Sequence, residues 1–224
     1  MKKFTLLIIV LACIMNLGAQ ERKTQNRNVG SFNEIYAGKG INVTLIEGDK
    51  EKIRIEIENA DVTDVITNIK GRRLDIKMKT KIYKDMSVMV YVTYRSLKAI
   101  STGTGAFITS DNTIYAENLD LKSGTGSNIV LDVDVKNLAS SLSSSKIELV
   151  GKADFQEVSS YAGGRYIADQ LMSKEALVRT YTGGVAWVNA TDKLDAKTNT
   201  GGKINYKGNP KQLISKGNIE RDEE

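Results

Sequence analysis

The sequence contains no histidine and a single cysteine, Cys13. A Ser-His-Asp or Cys-His nucleophile is therefore excluded, and a zinc site would have to be built from carboxylates alone. Carboxylate chemistry remains. Glycoside cleavage needs two acids at a fixed separation across a cleft, whereas Asp111, Asp120, Asp132, Asp134, Asp154, Asp169, Asp192 and Asp195 are scattered along the chain. Asp132 and Asp134 would sit about 7 Å apart on one strand face. With Lys136 beside them they form the nearest approach to a lyase-type cluster, an acidic cation site plus a proton-abstracting base; the plainer reading is a solvated face. The other candidates are rings. Tyr161, Tyr181 and Trp187, with Ile167 and Val185, offer flat apolar surfaces suited to sugar rings or to a protein partner.

Whether those residues meet depends on the elements that carry them. A short phrase of small residues recurs, as TGTGA from Thr102, SGTGS from Ser123, SLSSS from Ser141, SYAGG from Ser160, TYTGG from Thr180 and TNTGG from Thr198, with starts 21, 18, 19, 20 and 18 residues apart. Two residues before each start stand Ile100, Leu121, Ala139, Val158, Val178 and Ala196; six after it stand Ile108, Ile129, Ile147, Tyr166, Ala186 and Ile204. Both columns are free of charge. Strand side chains alternate, so the earlier column, the Ser or Thr that opens the phrase and the residue two after it should share one inward face.

A period near 19 is too short for a propeller blade and lacks the leucine signature of leucine-rich repeats. It fits a β-solenoid, each copy forming a coil that pairs in parallel with its neighbours at about 4.8 Å per coil. Inward hydroxyls would then hydrogen-bond along the stack. One residue after each start the column faces outward: Gly103, Gly124, Leu142, Tyr161, Tyr181 and Asn199. Tyr161 and Tyr181 are thus expected side by side, with Ile167, Val185 and Trp187 outward on the following strand. The phrases match neither the calcium-binding nonapeptide, whose aspartate is missing, nor a phosphate loop.

Upstream, Ile41, Val43 and Leu45 alternate with polar neighbours, as do Ile53, Ile55 and Ile57, Leu74, Ile76 and Met78, and Val88, Val90 and Val92, which predicts strands. Residues 60–69 alone carry helical spacing, at Val62, Val65, Ile66 and Ile69. This β-rich region, 31–96, is expected to cap the solenoid of residues 97–219, with a charged tail over 220–224. Residues 20–30, polar and aperiodic, read as a flexible linker.

Residues 1–19 read as a signal peptide: Lys2 and Lys3 precede an apolar run to Met15 and then Leu17, Gly18 and Ala19. The run falls short of a membrane span of roughly 20 residues. Cleavage after Ala19 would leave Gln20 first and a mature chain without cysteine; the alternative is a lipoprotein anchored at Cys13. Losing Lys2 and Lys3 takes the net charge from +5 to +3. That excess reads as weak and spread along the chain, and nucleic acid, which calls for a clustered patch, is not an expected partner.

The stretches FNEIYAGKGINVTLIEG from Phe32, with its Gly40-Ile41-Asn42 tripeptide, SVMVYVTYRSLKAISTGTGAF from Ser87 and LDLKSGTGSNIVL from Leu119 resemble the head GIN domain family, whose members are called auto-transporter adhesins. The resemblance covers residues 32–206. It implies an exported β-helical protein of a Gram-negative cell with an adhesive role. An auto-transporter also needs a membrane barrel, and the sequence closes with GNIERDEE after the last coil, so self-translocation is not expected.

The sequence thus points to an all-β fold, a right-handed parallel β-helix (β-solenoid) of short coils with an N-terminal β-rich cap. The expected function is that of an exported, non-enzymatic envelope or surface protein binding a glycan or another envelope protein. It would need no cofactor or metal, have no transmembrane segment in the mature chain and be open to homo-oligomerisation. A β-helix polysaccharide lyase and a structural module for another envelope protein are the rival readings.

Overall fold

The computed structural model describes residues 22–222. The segment expected to be a signal peptide, with Cys13, and the expected mature N-terminus Gln20 lie outside them. The described chain is strand almost throughout; its one helical piece is a single 3-10 turn, Val62–Asp64. No helix among the described residues is long and apolar enough to cross a membrane.

The repeats form a β-solenoid. Four long strands, β11 (Asn128–Ser143), β12 (Lys146–Tyr161), β13 (Arg165–Thr180) and β14 (Val185–Thr198), pair in parallel, each on the next. Each bends midway, so its first half lies on one face of the solenoid and its second half on the other. The small-residue phrases make the tight corners between strands. In those corners, backbone N–H groups donate to the corner of the next coil, as from Gly105 to Thr125 (3.1 Å), Gly126 to Ser144 (2.7 Å), Gly163 to Thr182 (3.0 Å) and Gly183 to Thr200 (3.0 Å). The turns thereby satisfy their polar backbone by stacking.

The predicted column Ile108, Ile129, Ile147, Tyr166, Ala186 and Ile204 is buried and in register through successive pairings. The other column needs one correction. Ser140, not Ala139, pairs with Leu121 and Val158, and Ala139 is half-buried. That corner is one residue shorter than its neighbours, so Leu142, expected outward, is buried in the place that Ser123 and Ser160 occupy on adjacent coils. Residues two after each start, such as Thr104, Thr125 and Thr182, lie at the corner apex and are exposed rather than inward. The inward hydroxyls form a local cluster: Ser127 Oγ lies 2.7 Å from Thr102 Oγ1 and 2.9 Å from Ser123 Oγ. In later coils Gly164, Gly184 and Gly202 occupy the place of Ser127, and the cluster ends there.

The cap is narrower than the sequence suggests. β2 (Glu34–Ala37) and β3 (Asn42–Glu47) are themselves a coil, paired in parallel with β8 (Ala99–Thr102) and β9 (Phe107–Ser110). Ala37 lies in register with Thr102 and Asn42 with Phe107, so AGKGI is one more copy of the corner phrase. On the other side of this coil stack β6 (Arg73–Met78) and β7 (Ser87–Tyr94), also in parallel. The first coil in sequence is therefore an inner layer of the stack. Beyond β6 and β7 the cap proper is antiparallel: β5 (Val65–Lys70) on β6, β4 (Lys52–Glu58) on β7, and β1 (Lys23–Asn28) on β4.

Strand β1 replaces the flexible linker expected over 20–30. The open edge of β4 supplies its backbone partners, and Arg27 fastens it, donating from Nη1 to Val65 O (2.6 Å) and from Nη2 to Val62 O (2.7 Å). The helical spacing over 60–69 resolves into the 3-10 turn and β5, because pairing with β6 engages the backbone from Val65 onward. At the far end β15 (Lys203–Lys207), β16 (Gln212–Lys216) and β17 (Ile219–Arg221) extend the stack, so the tail expected from residue 220 begins within a strand.

Two buried carboxylates tie the cap together. Asp75 lies 2.6 Å from Arg73 Nε, with Lys77 at 3.4 Å and Lys70 at 3.5 Å. Burial pushes its carboxyl up, but the Arg73 hydrogen bond and the nearby cations outweigh that and hold it below the usual range. The Lys81 hydrogen bond (2.6 Å) likewise holds Asp64 down. The Thr63 backbone N–H, donating to Asp61 at the start of the 3-10 turn, lowers that carboxyl to about 2. Carboxyls depressed in the folded state stabilise it above their unfolded value of about 4, and that contribution is lost as pH falls through the folded values. The melting midpoint should accordingly fall as pH is stepped from about 4 to about 2. In Asp75→Asn it should start lower at neutral pH and fall less steeply, as followed by near-UV circular dichroism.

Candidate functional site

The aromatic candidates assemble around one corner column. Tyr161, at the end of β12, and Tyr181, just beyond β13, are stacked with ring centroids 4.9 Å apart and planes within 7°. The coil spacing imposes this: Tyr181 N donates to Ser160 O (2.8 Å), placing the two residues in successive coils. Tyr161 remains 41% exposed, and Tyr181 is half-buried beside it. Among the described residues this is the one stacked ring pair.

Past the corner the strands run onto the other face. There Ile167 and Trp187 are in register on adjacent coils, as are Arg165 and Val185. All of these face outward, and the Arg165 guanidinium lies over the Trp187 ring at 5.3 Å. The flanking cations Lys146 and Lys203 are engaged by Glu148 (2.6 Å) and Glu220 (2.8 Å), whereas Arg165 has no acidic partner among the described residues. The five sequence candidates thus divide into a tyrosine pair and a tryptophan face, separated by corners 162–164 and 182–184. Those corners face open space, since a Cβ added at Gly163 or Gly183 would meet nothing. Arg165 was missed in the sequence; its place five residues after a phrase start, as for Val185, was the available signal.

The carboxylates do not converge. Asp132 accepts from Thr113 Oγ1 (2.9 Å), while Lys136 donates to Glu117 (3.1 Å) and so is not directed at Asp132 or Asp134. Asp154, Asp169 and Asp192 pair with Lys174 (2.7 Å), Lys207 (3.1 Å) and Lys211 (2.7 Å). No group of three potential metal ligands is found among the described residues.

Glu117, Lys136, Asp154, Lys174, Asp192 and Lys211 occupy the strand bends of successive coils and alternate in sign, a ladder the sequence reading did not foresee. Beside it runs a groove of about 780 Å³, floored by Ala116, Val135 and Ala153 and bordered by the exposed Tyr115 and Met172. Its charges largely neutralise one another. Such exposed pairs contribute little singly, about 0–1 kcal/mol.

Comparison with known proteins agrees with this architecture. A family model described as putative auto-transporter adhesin, head GIN domain, matches residues 31–210. The fold is similar to that of a putative adhesin from Bacteroides fragilis NCTC 9343, with a TM-score of 0.83 at 23% identity over 91% of this chain and 98% of that one. A putative adhesin from Parabacteroides merdae ATCC 43184 gives 0.72 at 20% identity over 92% and 98%. A putative lipid binding protein from Parabacteroides distasonis ATCC 8503 gives 0.67 at 19% identity over the same shares. No curated protein matches the chain.

Proposed function

Because this chain belongs to the head GIN domain family of putative auto-transporter adhesins, we propose that it is an exported, non-enzymatic surface protein that binds a glycan through the ridge formed by Tyr161, Tyr181 and the Arg165–Trp187 pair. The observation that carries this reading is the stacked tyrosine pair: two parallel rings on a rigid corner, one of them 41% exposed, where the solenoid core has no use for them. Parallel rings present an apolar platform of the kind a pyranose face covers, and Arg165 supplies unengaged donors across the corner. The coils hold this geometry before any ligand arrives, so little ordering entropy opposes binding.

The mature protein applied to a glycan array identifies the ligand class. Against a ligand so found, Tyr181→Ala and Trp187→Ala should each weaken binding by about 1–3 kcal/mol, as exposed anchor residues do. The melting midpoint should hardly move. Loss of stability with unchanged affinity would make the rings packing residues and end this reading.

A further inference from the structure

The connection between β6 and β7, residues 79–86, is a broad loop where the other coils have a tight corner. It stands over the AGKGI corner, and the two enclose a cavity of about 490 Å³ whose lining includes Tyr36, Lys39, Lys77, Met78 and Met86. The loop is held in place. Lys79 N donates to Asp64 O (2.8 Å), Tyr83 Oη to Lys79 O (3.0 Å) and Asn59 Nδ2 to Asp85 O (2.6 Å), while Lys81 pairs with Asp64. On this fixed loop Ile82 is 102% exposed, more than any other large apolar side chain described.

Its surroundings are basic. Residues 70–85 carry seven lysines and arginines against Asp75 and Asp85, a net +5, which equals the formal charge of the entire chain. The basic excess is not spread along the chain but concentrated at the capped end, with Lys39 added from the corner beneath. Lys39 and Lys84 enter no ion pair among the described residues.

We propose that this end of the solenoid docks on an anionic lipid bilayer. Ile82 enters the boundary between headgroups and acyl chains, and the lysines around it lie among the phosphates, their methylene stems following the apolar tip inward. A soluble polyanion would match the lysines but give Ile82 no role. A protein partner would need a wider apolar patch than one side chain supplies. Docked this way, the solenoid stands away from the bilayer, with the Tyr161–Trp187 ridge several coils distant.

The test uses the unlipidated chain from residue 20 in flotation with vesicles of phosphatidylglycerol and phosphatidylcholine, compared with phosphatidylcholine alone. Binding is expected only to the anionic vesicles, and is lost at about 1 M salt, where the screening length shrinks to about 3 Å. Lys39→Gln and Lys84→Gln should each lower partitioning about fivefold, and Ile82→Asp at least about tenfold, with melting unchanged because all three side chains are exposed. Tyr181→Ala should leave vesicle binding intact, which separates this proposal from the glycan site. Equal binding to neutral vesicles, undiminished binding of Ile82→Asp, or capture of soluble heparin without any vesicle binding would each overturn it.

Discussion

Ile147→Asp should prevent folding, while Lys146→Asp, one residue away, should leave the protein folded. Ile147 is fully buried, stacked between Ile129 and Tyr166 on the coils either side. A carboxylate there would be buried in the core without a charged partner, at a cost of several kcal/mol. That is comparable to the whole stability of a typical domain, about 5–15 kcal/mol. Lys146 points outward and pairs with Glu148, its side chain 38% exposed. Reversing its charge forfeits one surface ion pair and sets two acids side by side, about 1 kcal/mol. Far-UV circular dichroism and limited proteolysis distinguish the two outcomes, and equal tolerance of both substitutions would refute the register described above.

Gly151→Ala should cost about 4 kcal/mol, combining backbone strain with a steric overlap. Gly151 lies within β12 at φ +109°, a conformation that side chains rarely adopt, and an added Cβ would run into the carbonyl oxygen of Val133 on the preceding coil. That oxygen belongs to the β11–β12 pairing and cannot withdraw without opening it. Gly163→Ala is the control: φ is +74°, but a Cβ there meets nothing. Only the left-handed penalty remains, about 1–2 kcal/mol. In thermal melts the two should differ by roughly 5–10 °C in a chain of this size. Midpoints lowered by the same amount would mean that the close approach to Val133 is not tight.

Parts of this molecule were legible in the sequence because a solenoid reuses one environment at a nearly fixed interval. The column through Ile129, Ile147 and Tyr166 could be read since each member meets the same inward demand. The stacking of Tyr161 on Tyr181 followed from the same period. What escaped detection departs from that period. The AGKGI coil precedes the others by a long antiparallel excursion, so its spatial neighbour is not its sequence neighbour. The slip at Ala139 came from a corner one residue short: counting back across it from Ile147 lands on Ala139 in place of Ser140, and one residue exchanges the inward and outward faces. Gln156, fully buried, donates from Nε2 to Ser173 Oγ (2.8 Å) and accepts from Tyr166 Oη (3.0 Å). Nothing in its type foretells a core position, because its burial depends on two partners supplied by the neighbouring strand, β13. The charge ladder was hidden for a related reason: each pair joins residues about nineteen apart, and only the bend brings them together.

The coil made by β2 and β3 is the first to leave the ribosome but cannot be completed at once. Ile35 must wait for Leu74 on one side and for Ile100 on the other, its partners in β6 and β8. Each coil after β9 needs only a neighbour about twenty residues back. Loop closure over the longer spans carries the larger entropic cost, so the slow event in folding belongs to the first third of the chain, and the rest can zip onto a finished template. Growth then has a direction. The sealed end is fixed by the antiparallel strands β1, β4 and β5, while the opposite end receives coils singly. A gene that gains or loses one repeat beyond residue 123 would therefore lengthen or shorten the rod without disturbing its nucleus.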